Sequence, residues 1–552
     1  MNAPAVDRPA AGAPAAPGRA GPFIGTGALV RLILRRDRIL LPVWLLLTWG
    51  TVVGRADSMA ATYPTAEERE ARFDEVMVGV PMFKLFQGPA YGDDVNALTA
   101  QEAFAGATLI AALGAALLLV RHTRGEERTG RRELLGSAAI GRHAPLTAAL
   151  AVVLGAGVLL AVLCAAALIG YGMPAAGSLA LGLVCGGAVW VCAAVAAVAA
   201  QLTENPGLAG VGAYSLFFAL HFVRGASDLG GEGMHWLGWL TPNGWLQRAR
   251  PFADERWWLF LPVIALVAAL LWAAYRLSSR RDLGSGLLPA RAGPAAAPAS
   301  LRGPFGLAWR LNRSAALVWL FAALAVCLPT GYGGAGAMEQ YAGGERMRVW
   351  ADAMGAGRPG DAFFAYIAFA MGFPIAIYAI MTVLRLGAEE GGGTAETLLA
   401  TPVGRLRWAA GHLVFALGVS ALLQVAIGVG FGLGAGLHSG ELGADLARML
   451  TVTTALVPAV WVMAGIAMAA FGLVGRRAPA VAWGALVVAV TVEFGQHLGW
   501  PEWLFRVFSP FAHVLPFFGP PSPITLTALT LVAAALCAVG LFGLRHRDVG
   551  AR

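Results

Sequence analysis

Apolar runs long enough to cross a hydrocarbon core, about 20 residues each, recur along the whole chain and leave few folds open to it. They lie near 39–55, 102–120, 145–170, 176–200, 208–224 and 257–276. A second set lies near 314–330, 361–384, 408–434, 449–474, 478–494 and 524–544. Only 13% of the residues are charged, against 58% hydrophobic, whereas a soluble domain carries roughly a quarter charged residues. The expectation is an all-α polytopic membrane protein of about 12 transmembrane helices.

A net charge of +8 would suit a nucleic-acid partner, but its distribution argues against one. With the amino terminus inside, roughly two-thirds of the basic residues fall on the cytoplasmic side, the positive-inside pattern of a membrane protein. The segments 225–256 and 331–360 nevertheless keep several Arg on the outer side. The five cysteines, Cys164, Cys185, Cys192, Cys327 and Cys537, all fall inside spans without metal-ligand spacing and read as small buried hydrophobes. A cleaved signal peptide ending near Ala56-Asp57-Ser58 would need too long a basic leader, so the first span reads as a retained anchor.

Residues 1–22, rich in Ala, Pro and Gly, read as a disordered tail. Phe23–Arg38 follows, with Arg31, Arg35 and Arg38 on one helical face and Leu29, Leu32 and Ile33 on the other. Such a stretch abutting a span predicts a helix lying in the cytoplasmic interface. The first six-span half runs over 23–283, an Ala/Pro/Gly-rich cytoplasmic linker over 284–303 and the second half over 304–552. Phe305–Arg313, with Arg310 and Arg313, repeats the interfacial pattern.

The halves echo each other further. After the second span comes Glu126-Glu127-Arg128-Thr129-Gly130-Arg131-Arg132-Glu133-Leu134-Leu135, then Ile140-Gly141-Arg142. After the eighth comes Glu389-Glu390-Gly391-Gly392-Gly393-Thr394-Ala395-Glu396-Thr397-Leu398-Leu399, then Val403-Gly404-Arg405. Thr241-Pro242 is mirrored by Ser509-Pro510, and the tail Arg281-Asp282-Leu283-Gly284 by Arg547-Asp548-Val549-Gly550. An ordered set of echoes marks an internal repeat, and six spans per half give the repeats one orientation. Thr65-Ala66-Glu67-Glu68 is a capping box opening a helix that carries Phe73, Val76, Met77 and Val80; Met347, Trp350, Ala351 and Met354 repeat that spacing.

The E-E-x-x-G-x-x-E-x-L-L…G-R pattern after the second span resembles the coupling region of type-2 ABC exporter permeases. The interfacial helix before the first span and the Ser/Thr-Pro element before the last resemble that family too. Two such units in one chain, with large outer loops after spans 1 and 7, resemble the actinobacterial polyketide-antibiotic (tetronasin-like) exporter group. The resemblance implies two tandem six-helix permease repeats in a bacterial cytoplasmic (inner) membrane, both termini cytoplasmic. It also implies two copies of a separate ATP-binding subunit, which would hold the ATP and Mg, this chain binding no cofactor. Glu126, Glu127, Glu133 and Arg142, with Glu389, Glu390, Glu396 and Arg405, would couple to it. The cargo implied is a hydrophobic compound such as a polyketide antibiotic.

Direct reading of the residues supports and limits this. A P-loop needs G-x-x-x-x-G-K-[ST], and the one lysine, Lys84, follows Pro81-Met82-Phe83; the chain is not itself a P-loop ATPase. Few ionisable residues lie within spans. Arg224 and Glu493 sit near the outer ends of equivalent spans, with His221 one turn from Arg224. One reading pairs Arg224 with Glu493 as an outer gate; the other has both reach the headgroups by snorkelling. Phe217, Phe218, Phe363, Phe364 and Tyr366 are candidates for the substrate pathway, or packing aromatics. The rival function is a proton-coupled major-facilitator drug transporter, since Glu127-Arg128-Thr129-Gly130-Arg131-Arg132 resembles that family's D-R-x-G-R-R loop. Against it, the second loop lacks those arginines and the spans lack deep acidic residues. A lipid-modifying enzyme would need Asp93, Asp94, Glu102 and His235 to converge, and no spacing supports that.

Overall fold

The computed structural model describes residues 21–74, 81–128, 130, 140–229, 232–282, 284–288, 296, 301, 303–341, 359–495, 501–514 and 522–548. Every regular element among them is helical. The chain divides into two compact units, Met1–Ala292 and Gly293–Arg552.

In the first unit, α1 (Thr26–Arg36) and α2 (Leu40–Thr62) meet at a 70° elbow. α1 buries Leu29 and Ile33 and exposes Arg31 and Arg35, the amphipathic pattern of a helix lying along an interface. α2 is apolar, so the elbow falls where the pattern changes. α3 (Ala66–Asp74) opens on the expected capping box: Thr65 N donates to Glu68 Oε2 and Glu68 N to Thr65 Oγ1, both at 3.2 Å. Next come α4 (Pro81–Phe86) and α5 (Val95–Val120), whose first turn is capped by the Asp94 carboxylate. α5 runs on into a π-helical turn, Arg121–Gly125, and a short helical turn, Glu126–Arg128. The unit is completed by α6 (Ala144–Gly170), α7 (Ala175–Leu202), α8 (Pro206–Leu229), α9 (His235–Trp239), α10 (Pro242–Gln247) and α11 (Phe260–Arg280).

α7 is the centre of this unit and packs against α5, α6, α8 and α11. Small residues permit the close approach: a Cβ at Gly182 would stand 2.3 Å from the Ala161 carbonyl oxygen. Large apolar side chains on the peripheral helices stay open, among them Leu46 and Leu47 on α2 and Leu261 and Trp272 on α11, which suits a hydrocarbon solvent.

The second unit holds α12 (Pro304–Tyr341), α13 (Pro359–Gly391), α14 (Thr394–Leu399), α15 (Arg405–Ser439) and α16 (Leu442–Ala455). It continues through α17 (Val457–Val474), α18 (Ala478–Gly495), α19 (Glu502–Phe508) and α20 (Pro523–His546). The two units repeat fine detail: Trp190 Nε1 donates to Leu154 O at 3.1 Å, and Trp461 Nε1 to Leu417 O at 3.0 Å. Thr241 caps the turn that follows it through Gly244 N, and Ser509 does so through Phe511 N. The Ser/Thr-Pro echo is thus a pair of caps.

Among the described residues, ten helices are long and apolar enough to cross a membrane, or eleven if α1 and α2 count as one span. The expected twelve is reached only by dividing the 52-residue run Leu442–Glu493 at Gly475, where φ is +52°. An unbroken helix of that length would measure about 78 Å, more than twice a hydrocarbon core. α17 and α18 instead pack against each other and both against α13, so the chain turns back at Gly475. One expectation is corrected. Phe305–Arg313 is no separate interfacial helix, since α12 runs straight through it as 38 continuous residues. The helix expected over Met347–Met354 lies outside the described residues, as do Val76, Met77, Val80 and residues 1–20 of the expected tail.

Candidate functional site

The loop after the second span of each unit is held by a polar knot. In the first unit Glu127 faces inward, its side chain 4% exposed. Arg281, just past the end of α11, grips it with two bonds, Nη2 to Oε1 at 2.8 Å and Nη1 to Oε2 at 3.0 Å. Arg124 adds Nη1 to Oε2 at 2.7 Å and donates Nε to Ala200 O at the end of α7. Arg281 Nε reaches Gln201 Oε1 at 2.7 Å. Burial lowers the Arg281 pKa from its ordinary value. Two-point guanidinium–carboxylate contact fixes geometry as well as charge.

Arg142 closes the other end of this loop. Its Nη2 donates to the carbonyls of Ser278, Ser279 and Arg281 at 3.1, 2.9 and 3.0 Å, capping the last turn of α11. Gly141 must be small, because a Cβ there would lie 2.3 Å from the Pro22 carbonyl. Gly141 N and His143 N also donate to Ile24 O and Pro22 O, each at 2.9 Å. Glu126 pairs with Arg36 of α1 at 2.6 Å. Asp37, at the elbow, accepts from His122 and lies 3.2 Å from Arg121 Nη2.

The second unit repeats the plan with equivalent residues. Glu390 Oε2 meets Arg547 Nη2 at 2.7 Å, and Arg405 Nη1 donates to Arg547 O at 2.8 Å. Arg385 reaches Asn312 Oδ1 at 3.2 Å, matching His122 on Asp37. The first glutamate differs: Glu389 Oε2 takes Trp408 Nε1 at 2.9 Å and lies 3.3 Å from His412 Nε2. Between the glutamates and Arg405 stands α14, with Ala395 buried and Glu396 and Thr397 exposed. Glu133, the first-unit counterpart of Glu396, lies outside the described residues.

The expected coupling residues therefore separate into two kinds. Glu126, Glu127, Arg142, Glu389, Glu390 and Arg405 have bonds within the chain, whereas Glu396 stands on an open helix face. Arg281 and Arg547 were legible only as an echo between two tails, and their partnership with the loop glutamates was missed. So were Asp37, His122 and His412; the match between Arg35-Arg36-Asp37-Arg38 and Arg310-Leu311-Asn312-Arg313 was the available signal.

At the other face of the first unit, Arg224 is fully buried. It donates to Lys84 O, Leu85 O and Phe86 O at 3.3, 2.6 and 2.9 Å and pairs with Asp228 at 3.1 Å. His221 Nε2 contacts Phe86 O at 2.8 Å and the ring stacks on Phe104. Each of these bonds is made inside the first unit. Within its unit Arg224 pairs with Asp228, the acid one turn along α8, and Glu493 of the second unit is buried. Arg224 thus staples α4 to α8. Phe217 and Phe364 lie in the cores of their units, Phe364 against Phe363 and Phe431. Phe218, Phe363 and Tyr366 are half-buried.

Comparison with known proteins identifies the fold's occupation. The family described as the C-terminal domain of the multidrug efflux system permease Rv1217c matches residues 301–545. The multidrug efflux system permease protein Rv1217c of Mycobacterium tuberculosis is 36% identical over 553 residues, covering 100% of both chains. The chain belongs to the multidrug efflux permease family. The polyketide-exporter group suggested by the loop pattern is not what these matches name. Within the multidrug efflux permeases, the doubled knot is a property of both halves of this chain, and the family match at 301–545 covers the second of them.

Proposed function

We propose that this multidrug efflux permease is the membrane part of an ATP-driven ABC exporter. In this reading it moves a hydrophobic compound, a drug or a polyketide antibiotic, outward across the bacterial inner membrane. The carrying observation is the knot repeated in both units, Glu127–Arg281 and Glu390–Arg547, each closed by an arginine on the same tail carbonyl. It ties the loop after the second span to the end of the last span. A push on that loop then moves both ends of the unit together instead of being lost in a loose connection. The short helix α14 and the matching sequence around Glu133 are the surfaces for two copies of a separate ATPase subunit carrying ATP and Mg. The knot residues position α14, and Glu396 and Glu133 make the contact. ATPase closure shifts the permease only through contacts that differ between two states, and a rigidly anchored helix supplies them. In this orientation α1 and both termini are cytoplasmic.

A proton-coupled facilitator is disfavoured by membership of the efflux permease family. Co-expression with a candidate ABC ATP-binding subunit from the same organism tests the proposal. The pair should co-purify and hydrolyse ATP, and Glu396→Arg should weaken the association while the permease stays folded. Association unchanged by Glu396→Arg together with Glu133→Arg would refute the assignment of the contact.

A further inference from the structure

A cavity of about 440 Å³ opens beside the elbow of the first unit, within the range of small-ligand sites. One wall is apolar: Leu29, Leu32 and Ile33 of α1 with Ile140 and Pro145 at the start of α6. The other is polar, with Arg36, Arg142 and Arg281 against Glu126 and Asp282. The charges are unevenly spent. Arg36 is neutralised by Glu126 and Arg281 by Glu127, whereas among the described residues Arg142 meets carbonyl oxygens alone, through one of its nitrogens. His122 also lines the cavity, and its buried Nδ1 has no partner among the described residues. Arg31 and Arg35 stand exposed on the same helix.

We propose that this cavity binds an anionic phospholipid of the leaflet in which α1 lies. The phosphodiester meets Arg142 and Arg36 on the polar wall, and an acyl chain lies along Leu29, Leu32 and Ile33. Three observations converge on a lipid. A hydrocarbon wall and a cationic rim share one cavity. The cavity sits against an amphipathic helix, where headgroups and acyl chains meet. A basic pocket at a helix-bundle edge is a physical match for an acidic headgroup. The occupant would brace α1 against the starts and ends of the spans it touches, α5, α6 and α11. The site is independent of what the permease exports and of what drives it, so its test can fail without touching the exporter reading.

The experiment uses the full chain, purified in mild detergent and depleted of lipid, with thermal unfolding followed as lipid is added. Phosphatidylglycerol is expected to raise the melting temperature saturably, and phosphatidylcholine and glycerol phosphate are not. Leu32→Trp fills the cavity from a half-open position and should abolish the phosphatidylglycerol shift while leaving the lipid-free melting temperature near wild type. Arg36→Gln should weaken the apparent affinity about tenfold, because it removes one cation and leaves Glu126 in the rim without the Arg36 charge. Asp282→Asn, which removes rim negative charge, should strengthen it. Leu317→Trp, on an open face of α12, serves as the control and should bind as wild type does. Equal stabilisation by both lipids, an undiminished shift in Leu32→Trp, or the full shift from glycerol phosphate alone would each overturn the proposal.

Discussion

Replacing Glu127 by alanine should cost far more than replacing its repeat-mate Glu390. The Glu127 carboxylate is shared by Arg281 and Arg124, whose side chains are 6% and 1% exposed. Removing one partner of a buried pair costs about 3–5 kcal/mol, because the remaining charge keeps its desolvation penalty without compensation. Here two guanidiniums lose their anion, and Gln201 Oε1 with the carbonyls of Ala200 and Ser285 is neutral recompense. Glu127→Ala therefore belongs in the upper part of that range. Glu390 and Arg547 are more open, at 14% and 21%, so solvent screens them and about 1–2 kcal/mol is expected. With a few degrees per kcal/mol for a domain of this size, melting falls by about 10 °C for Glu127→Ala and about 4 °C for Glu390→Ala. Tryptophan fluorescence of the detergent-solubilised chain during heating reads both. Arg281→Ala should match Glu127→Ala, and the double variant should fall about 2–3 kcal/mol short of the sum of the two. Equal shifts in the two units, or additive losses in the double variant, would refute the reasoning.

Three further outcomes follow from the same geometry. Gly141→Ala should loosen the segment around Pro22 and cost about 1–3 kcal/mol by overpacking. Gly404→Ala, where nothing lies within 4 Å of the added Cβ, should be silent; limited proteolysis of the amino-terminal segment separates the two. Arg224→Met should destabilise the first unit by about 3–5 kcal/mol, leaving buried Asp228 without its nearest cation and three carbonyls without a donor. Arg224→Lys should rescue little, since one ammonium cannot span those acceptors; thermal unfolding checks both. Glu493→Gln combined with Arg224→Met should be additive in the same assay, whereas a shared gate would make the effects couple.

What could be read in the sequence was what is local. The apolar runs, the Thr65–Glu68 capping box and the amphipathic split of Leu29 and Ile33 from Arg31 and Arg35 each depend on neighbours within a turn or two. The repeat was legible because ordered pairs such as Glu127 with Glu390 share one offset. The partners of those glutamates were not, because Arg281 and Arg547 reach them only after the end of the last span folds beside the second. The elbow was expected in both units and occurs in one. Asp37 with His122 marks it in the first, and Asn312 with Arg385 sits on an uninterrupted α12 in the second. Arg224–Asp228 was readable as an i, i+4 pair. The break between the apolar runs 449–474 and 478–494 was legible too, and it falls where Gly475 turns the chain back.

The central claim is that the two tied loops dock a separate ATPase. The most direct measurement is drug transport by the chain reconstituted in vesicles with and without a candidate ABC ATP-binding subunit from the same organism. ATP-dependent transport that needs this partner, and that falls when Glu396 and Glu133 are both reversed to arginine, is the predicted result. Transport by the permease alone, driven by a proton gradient and indifferent to ATP and to both substitutions, would contradict it.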